Sequence, residues 1–574
     1  MTSAAADGEA GQLERLLHDA NAAVLARAPP DTAPGLPLRL DGHGTALGGP
    51  CRWSLDWDCG SEGVSFSETV HACGDALTLR SGHDVRTSAL WQTDLCGTCS
   101  HLHAGDDAHF RSLVATLVRT GQWVAAVHSG LLHAEIHGAE GEGQQRRRRT
   151  AVTASLALTL AGGSGTPSAR LVLDPVTWTP RLLTMQLHSG GLETWSWGDD
   201  WPMSCTSIQS SGQETHYIAS GPPLPASQQL ADLLQPPPDD VSAVPPFAEA
   251  ALIPAARVSG GVFVVRASAL PPPAAGSSGG TAQEGWFVLD PCCDGAAISP
   301  WLADGAAWPA AGEQKVHALG GAAAGPLRQG ALALGPCVLP HGAWHQSLAL
   351  DGAVTGVPNG QPLAGILGMA VLRRCVLEVR AFNRLPGGSR EAPRTEVVLH
   401  PPGTYADASD RVTVSWQRLR VLDGAPHVEC TLRVGDDIQP FSGWFRLGLG
   451  VGGTAVVLCA ATCNQVGFVQ GTHALQPSGV MTGPGEQQGR FQAVEEGSLL
   501  SGRVASVELR GASFARQRCV VHCNRRADGS LAAVNPQDMQ LSSASAGVLC
   551  ADLFRGCTLL LDVPGERCAV VMHN

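Results

Sequence analysis

The second half of this chain contains an internal repeat, and that repeat constrains the fold more than any other feature of the sequence. The segment Trp286-Phe287-Val288-Leu289-Asp290 recurs as Trp444-Phe445-Arg446-Leu447-Gly448. Downstream in the first copy stands GILGMAVLRRCVLEVR (Gly365–Arg380), and in the second copy GVLCADLFRGCTLLLD (Gly547–Asp562). Two matches in the same order predict two homologous β-rich lobes, at 255–400 and 425–574, with a connector at 401–424.

Three further stretches precede the repeat. Residues 1–40 have the apolar spacing of one short helix, and residues 41–225 alternate short apolar segments with glycine-rich turns. One helix is predicted inside the second stretch, at Ala108–Thr120, and a proline-rich linker follows at 226–254. The 69 glycines and 39 prolines break the sequence into short segments, which favours strands and turns over long helices. We therefore expect a mainly β fold.

Composition narrows the classes of partner. A net charge of −13 argues against broad binding to nucleic acid or to an anionic membrane surface. No apolar run approaches the ~18–20 residues that a membrane-spanning helix needs. The N-terminus has no basic region followed by an apolar segment, so we expect a cytoplasmic or otherwise intracellular location.

The cysteines raise the question of a metal or redox site. Cys96-Gly97-Thr98-Cys99 is a CxxC motif followed by His101 and His103, residue types that bind zinc or form a redox dithiol. The motif falls in a predicted hairpin and no second CxxC completes it. We interpret most of the 18 cysteines as buried apolar residues, and we expect no metal and no cofactor.

At the repeated segments the sequence resembles the retropepsin-like aspartic peptidases, which include the two-lobed pepsin type. Each lobe of that family has an apolar strand ending in Asp-Thr-Gly, and FVLDPCCDGAAISP (Phe287–Pro300) and FRLGLGVGGTAVVL (Phe445–Leu458) stand at those places. Ala318-Leu319-Gly320-Gly321 resembles the glycine-rich turn of the family's flap hairpin. The resemblance implies two retropepsin-like β-barrel lobes that form a pepsin-like bilobal unit.

Residues 41–225 resemble the lipoprotein-carrier-like domain that precedes such modules in many bacterial proteins. The segments ARLVLDPVTWTPRLL (Ala169–Leu183) and SALWQTDLCG (Ser88–Gly97) are similar to two of its strand patterns. This resemblance implies a curved antiparallel sheet that half-wraps a helix and that in relatives shelters apolar ligands.

The catalytic motifs are damaged in both lobes. Aspartic proteolysis uses two carboxylates that share one proton, one acting as base and the other as acid. The first lobe keeps Asp290, but Pro291 and Cys292 replace the threonine and glycine of the family motif. In the second lobe Gly450 stands at the motif glycine, but Gly448 replaces the aspartate. One carboxylate cannot form a dyad, so we expect impaired or absent catalysis, with Asp290 as the one catalytic residue retained.

Three functions remain open. The first is a pseudoprotease whose interlobe cleft binds an extended peptide, with Gly320, Gly321, Cys292 and Gly450 contacting it. The second is an active aspartic-type endopeptidase with an altered site centred on Asp290, which would require a carboxylate from the second lobe within hydrogen-bond reach. The third is an apolar-ligand carrier that uses the N-terminal sheet domain.

Overall fold

The structure is a computed structural model. It describes residues 3–25, 37–60, 63–84, 86–87, 89–97, 99–102, 107–137, 154–160, 168–186, 192–209, 213–225, 247–272, 281–293, 295–318, 321–381, 395–403, 405, 414–422, 424–435, 438–468, 475–478, 482–484, 491–493, 497–534 and 545–573. Of the predicted features, Gly320, His103 and most of the 226–254 linker lie outside these residues. The chain divides into two compact units, residues 1–93 with 99–238, and residues 94–98 with 239–574.

Within the described residues, the first unit contains three helices and one large antiparallel sheet. Its helices are α1 (Ser3–Leu25), α2 (Asp107–Arg119) and α3 (Trp123–His128). Its strands are β1 (Leu38–Ala46), β2 (Gly49–Gly60), β3 (Gly63–Ala72), β4 (Leu77–Asp84), β5 (Ala89–Thr93), β6 (Cys99–Leu102), β7 (Leu132–His137), β8 (Ala154–Leu160), β9 (Ser168–Leu173), β10 (Pro180–Gln186), β11 (Leu192–Trp197), β12 (Ser204–Ile208), β13 (Glu214–Ala219) and β14 (Leu224–Pro225). They run in the order β6-β5-β4-β3-β2-β1-β13-β12-β11-β10-β9-β8-β7, and β14 pairs with β1.

Helix α2 packs on this sheet through one apolar face. Its face residues follow the helical spacing of three and four, and none has exposed area: Phe110, Leu113, Val114, Leu117 and Val118. On the sheet, Trp53, Leu55 and Trp57 of β2 alternate with more polar residues, as a strand with one buried side requires. Each large apolar side chain removed from water stabilises the unit by roughly 1.5–3 kcal/mol. The helix predicted at Ala108–Thr120 is therefore present and forms the centre of the core.

The second unit is built from short strands and three short helices. The helices are α4 (Pro300–Gly305), α5 (Met369–Leu372) and α6 (Ala460–Gln465). The strands of its first half are β15 (Ala251–Ile253), β16 (Ala255–Arg257), β17 (Phe263–Leu270), β18 (Gln283–Leu289), β19 (Ala296–Ile298), β20 (Ala310–Ala318), β21 (Gly321–Gln329), β22 (Ala331–Leu334), β23 (Cys337–Leu339), β24 (Trp344–Ser347), β25 (Leu363–Leu367), β26 (Val376–Ala381) and β27 (Thr395–His400). Those of its second half are β28 (Gln417–Leu422), β29 (Ala425–Arg433), β30 (Phe441–Gly448), β31 (Val456–Leu458), β32 (Gln476–Pro477), β33 (Thr482–Pro484), β34 (Phe491–Ala493), β35 (Ser498–Leu509), β36 (Ala512–Arg525), β37 (Leu531–Ala532), β38 (Gly547–Cys550), β39 (Cys557–Asp562) and β40 (Arg567–Met572). Single 3₁₀ turns lie at Ser259–Gly261, Pro358–Gly360 and Ala551–Phe554.

The two halves of this unit repeat one strand topology. In the second lobe the ring β29-β30-β38-β31-β36-β35 closes, because β35 pairs back to β29. In the first lobe β17-β18-β25-β19-β24-β21 follow the same order with the same parallel and antiparallel steps. That ring stays open in the part of the chain that the structure describes, since β17 pairs with β22 where closure would need β21. The internal repeat of the sequence is thus a repeat of structure.

A further sheet joins the two lobes. Its strands come from both, in the order β15-β27-β26-β39-β40-β28, and β28 continues into β29 of the second lobe. Strand β15 lies inside the stretch predicted as linker, and β28 lies inside the predicted connector. The expected fold class is confirmed: the protein is mainly β, with two lobes of like topology preceded by an antiparallel sheet with a helix. None of the helices in the described ranges is long and apolar enough to cross a membrane.

Candidate functional site

Strand register shows which residues of the two lobes are equivalent. Strand β18 pairs in parallel with β25, placing Phe287 opposite Gly365, and β30 pairs with β38, placing Phe445 opposite Gly547. Counting on from each phenylalanine, the residue three positions later is Asp290 in the first lobe and Gly448 in the second. The structure therefore agrees with the sequence alignment that set these two positions against each other.

The paired glycines in this register have a steric role. A Cβ at Gly365 would lie 2.3 Å from the Phe287 ring, and one at Gly547 would lie 2.2 Å from the carbonyl oxygen of Val457. Real Cβ atoms do not approach other atoms this closely, so glycine lets the three strands of each lobe pack together. This explains why a Gly-Ile-Leu or Gly-Val-Leu element recurs at β25 and β38.

Asp290 lies at the end of β18, where the loops of the two lobes meet. Its backbone N–H donates to the carbonyl oxygen of Leu367 at 2.9 Å, which fixes the turn after the strand. Its half-buried carboxylate accepts from the backbone N–H of Cys292 at 3.1 Å and from the backbone N–H of Gly450 in the second lobe. The carboxylate thus serves as a hydrogen-bond acceptor between the two lobes.

The surroundings of Asp290 shift the pKa of its carboxyl group in opposite directions. Burial raises the pKa of its carboxyl group, and the two backbone N–H donors and the positive charge of Arg446 offset that effect only in part. The pKa remains above its ordinary value. Burial lowers the pKa of His427 to about 3, and the positive charge of Arg446 contributes in the same direction, so that imidazole is neutral at physiological pH.

Cys292 connects the first lobe to the strand that precedes Gly448. Its thiol donates to the carbonyl oxygen of Leu447 at 3.1 Å, and its own carbonyl oxygen accepts from Nη2 of Arg446 at 3.1 Å. Burial raises the pKa of the Cys292 thiol well above its ordinary value, so the sulfur stays protonated and is a poor nucleophile. The thiol therefore forms a hydrogen bond between the two lobes.

The second lobe leaves no room for a carboxylate at the position of Gly448. A Cβ there would lie 2.5 Å from Cγ1 of Val548 on the neighbouring strand and 3.4 Å from Sγ of Cys292. Gly450, two residues on, approaches Asp290 so closely that its own Cβ would lie 2.4 Å from Oδ2. The backbone of the second loop therefore lies directly against the Asp290 carboxylate.

The flap region is described in part. Strands β20 and β21 form an antiparallel hairpin in which Ala318 pairs with Gly321, the first residue of β21. Gly320 lies outside the described residues, so the contact predicted for it stays a prediction, as do those of Gly321, Cys292 and Gly450 with a peptide. Asp294, the other acid near Asp290 in sequence, also lies outside the described residues.

Sequence reasoning missed Arg446 and Val548. Arg446 stands where the first lobe has Val288, and a charge in an otherwise apolar strand was the available signal. Val548 gave no signal, because an apolar residue is ordinary in a buried strand.

Among the described side chains, no group of three or more His, Cys, Asp or Glu is placed to hold a metal ion. Cys96 and Cys99 fall in different compact units.

The interior of the first unit is occupied by its own side chains. Arg119, at the end of α2, lies 4.3 Å from the centre of the Tyr217 ring and within 5.4 Å of the ring centres of Trp53 and Trp195. Its Nη1 donates to Oε1 of Glu68 at 2.6 Å. The space between helix and sheet at this point therefore holds a buried ion pair inside an aromatic cluster.

Comparison with known proteins finds similarity to solved structures and no match of other kinds. No protein-family model matches the chain, and no curated protein matches it. Among solved structures, the aspartic proteinase from Irpex lacteus is similar at a TM-score of 0.33 and 11% sequence identity. The match covers 57% of this chain and 98% of that one.

Proposed function

We propose that this protein is a catalytically impaired or inactive relative of the aspartic peptidases, and that its interlobe cleft binds an extended peptide. The observation that carries the proposal is the asymmetry of one pair of equivalent positions. Asp290 ends β18 in the first lobe, and Gly448 ends β30 in the second. A two-carboxylate mechanism has only one of its two acids at this place.

The surroundings of Asp290 support loss of catalysis. In a dyad, the partner carboxylate holds the shared proton and the attacking water lies between the two acids. Here the backbone N–H of Gly450 points at the Asp290 carboxylate from the second lobe. A peptide N–H group is far too weak an acid to give up its proton in a catalytic step near neutral pH, so it cannot replace a partner carboxyl group. Members of a catalytic set act as a unit, and loss of one costs most of the rate.

Two features support peptide binding. Strand β20 is the last strand of its sheet in the described residues, so one of its edges is placed to pair with an added strand. Val288 lies on β18, two positions before Asp290 in the sequence. It belongs to an apolar cluster in which Trp286, Leu348 and Ile366 remain partly accessible. An extended peptide in the cleft would place apolar side chains against this cluster.

Cleavage is tested first, because it separates the two peptidase-type hypotheses. We would incubate the full chain with a diverse peptide library between pH 3 and 7, beside Asp290→Asn and with or without pepstatin. The proposal expects no cleavage by either form. Pepstatin-sensitive cleavage by the wild type that disappears in Asp290→Asn would replace the proposal with an active endopeptidase that recruits a second carboxylate.

Binding is tested with a displayed library of random dodecapeptides. Peptides selected on the wild type should lose binding to Leu348→Asp, which places a charge in the apolar cluster that contains Val288. Leu252→Asp is the matched control, because Leu252 is 61% exposed on β15 and outside that cluster. Retained binding by Leu348→Asp, or equal losses in both variants, would show that the cleft is not the binding site.

A further inference from the structure

A second depression lies on the second lobe, apart from the loops around Asp290. One edge of β29 pairs with β30. The other edge pairs with two strands in succession: with β28 along Ala425–Val428, and then with β35 along Thr431–Arg433. Strands β28 and β35 therefore part beside Glu429 and Cys430. The gap opens into a depression of about 370 Å³, which is within the size range of small-ligand sites.

The walls of the depression combine arginine side chains with an indole. Arg418 on β28 and Arg510 after β35 both line it, and both are exposed. Neither guanidinium forms an ion pair with a described residue. Trp444 on β30 forms the aromatic part of the wall, and the guanidinium of Arg420 lies 4.4 Å from the centre of its ring. Three positive charges thus lie around one aromatic surface.

The acidic residues of the depression offset this charge only in part. Glu508 pairs with Arg433 at 2.8 Å and accepts from the Ser506 hydroxyl at 3.0 Å, so its charge is already compensated. Hydrogen bonds from these two groups lower its carboxyl pKa. Glu429 is the one lining carboxylate that forms no ion pair with a described residue. With Glu508 compensated by Arg433, the two lining arginines, Arg418 and Arg510, outnumber the one remaining lining carboxylate, on a chain whose overall charge is −13.

We propose that this depression binds a small organic anion that joins two negative charges to a flat ring. The charged group would lie between Arg418 and Arg510, whose planar guanidinium groups form paired hydrogen bonds with phosphate or carboxylate oxygens. The ring would contact Trp444 and the buried Leu509. Aryl phosphates and aromatic dicarboxylates share this chemistry. The site is separate from the proposed peptide cleft and does not depend on it.

The test uses four probes that separate charge from ring. Phenyl phosphate and phthalate carry both features, inorganic phosphate carries only the charge, and benzyl alcohol carries only the ring. We would titrate each into the full chain by calorimetry at low salt, where electrostatic contributions are largest. We expect saturable binding of phenyl phosphate or phthalate in the millimolar range or tighter, and at least about tenfold weaker binding of the other two, since each lacks one set of contacts.

Three variants locate the binding. Arg418→Ala/Arg510→Ala should weaken the ring-bearing anion at least about tenfold, because it removes both charge partners. Glu429→Gln should strengthen it about two- to threefold, because it removes an uncompensated negative charge. Arg525→Ala, which removes an exposed arginine of β36 outside the depression, is the control and should leave binding unchanged.

Each result of these titrations either supports the proposed anion site or overturns it. Preference for phenyl phosphate over phthalate would identify a phosphate ligand, and the reverse preference would identify a carboxylate ligand; both support the proposal. Absence of saturable binding at 10 mM, equal affinity in the wild type and the double arginine variant, or inorganic phosphate binding as tightly as phenyl phosphate would each overturn it. A gain on Glu429→Gln is also evidence that does not depend on the folding of the double variant.

Discussion

Replacing Gly450 by alanine should force apart the two loops that meet at Asp290. The new Cβ would lie 2.4 Å from Oδ2 and 2.6 Å from Cγ of that carboxylate, well inside contact distance. The backbone angles of Gly450 are open to alanine, since its φ is not positive, so the effect is purely steric. Relief requires the second loop to retreat, which also lengthens the hydrogen bond from the Gly450 N–H to Asp290.

The size of the effect follows from two contributions. Overpacking a closed contact costs typically about 1–3 kcal/mol. A lost hydrogen bond to a charged group costs about 1.5–3 kcal/mol. We therefore expect the free energy of unfolding of the second unit to fall by about 3–5 kcal/mol. At about 2.1 cal/mol/K of unfolding entropy per residue, a unit this large should lose roughly 4–7 °C in Tm.

The assay is denaturant unfolding followed by circular dichroism, with calorimetry for Tm. Gly295→Ala is the matched control, because a Cβ at Gly295, in the same loop as Asp290, meets no heavy atom within 4 Å. A double-mutant cycle with Asp290→Ala tests the assigned cause. Asp290→Ala removes the two closest contacts and leaves only the one to the Cβ of residue 290 at 2.8 Å, so the two substitutions should be coupled by about 1.5–3 kcal/mol. Additive effects, or a loss no larger than that of Gly295→Ala, would refute the reasoning.

Three further predictions concern Asp290, Gly448 and Arg119. First, since the folded-state pKa of Asp290 lies above 3.8, its contribution to stability is fully present below the ordinary pKa and is lost as pH rises through the folded value. The unfolding free energy of wild type minus that of Asp290→Asn should therefore fall as pH rises above about 4, and a difference that rises with pH would contradict the assigned direction. Second, Gly448→Asp alone should give no peptidase activity, because its Cβ meets Val548; measurable pepstatin-sensitive cleavage of the peptide library would show that the second loop yields easily. Third, Arg119→Ala should destabilise the first unit by about 3–5 kcal/mol in urea unfolding, because Glu68 loses its buried partner, whereas the exposed Arg52→Ala should change little.

The repeat in the second half of the chain could be predicted from the sequence, because it consists of segments that recur in the same order along the chain. Once two strand-and-turn segments recur in the same order, equivalent positions such as Asp290 and Gly448 can be set against each other without coordinates. The strand register confirms that alignment residue by residue. The mainly β class was also predictable, since glycine, proline and short alternating segments are local features.

The contacts between the two lobes could not be predicted from the sequence. The Gly450 N–H reaches Asp290, and the Arg446 side chain reaches the Cys292 carbonyl, across more than 150 residues of sequence. No local preference specifies such pairs, since they depend on how closely two folded lobes approach. Arg119 gives a similar lesson in the first unit. An arginine at the end of a helix is ordinarily solvated, and here its burial depends on Glu68 and three aromatic rings that come from distant strands.

The sheet that joins the lobes also sets a condition on folding during synthesis. Strand β39 lies between β26 of the first lobe and β40 of the second, so the centre of that sheet is made from residues 557–572. When the first lobe leaves the ribosome, β26 has one edge paired to β27 and the other edge without its native neighbour. Nascent chains that stop before residue 557 should therefore carry an unprotected strand edge, which is a ready template for pairing with other chains. Completion of the first lobe depends on a segment that the ribosome makes long after it.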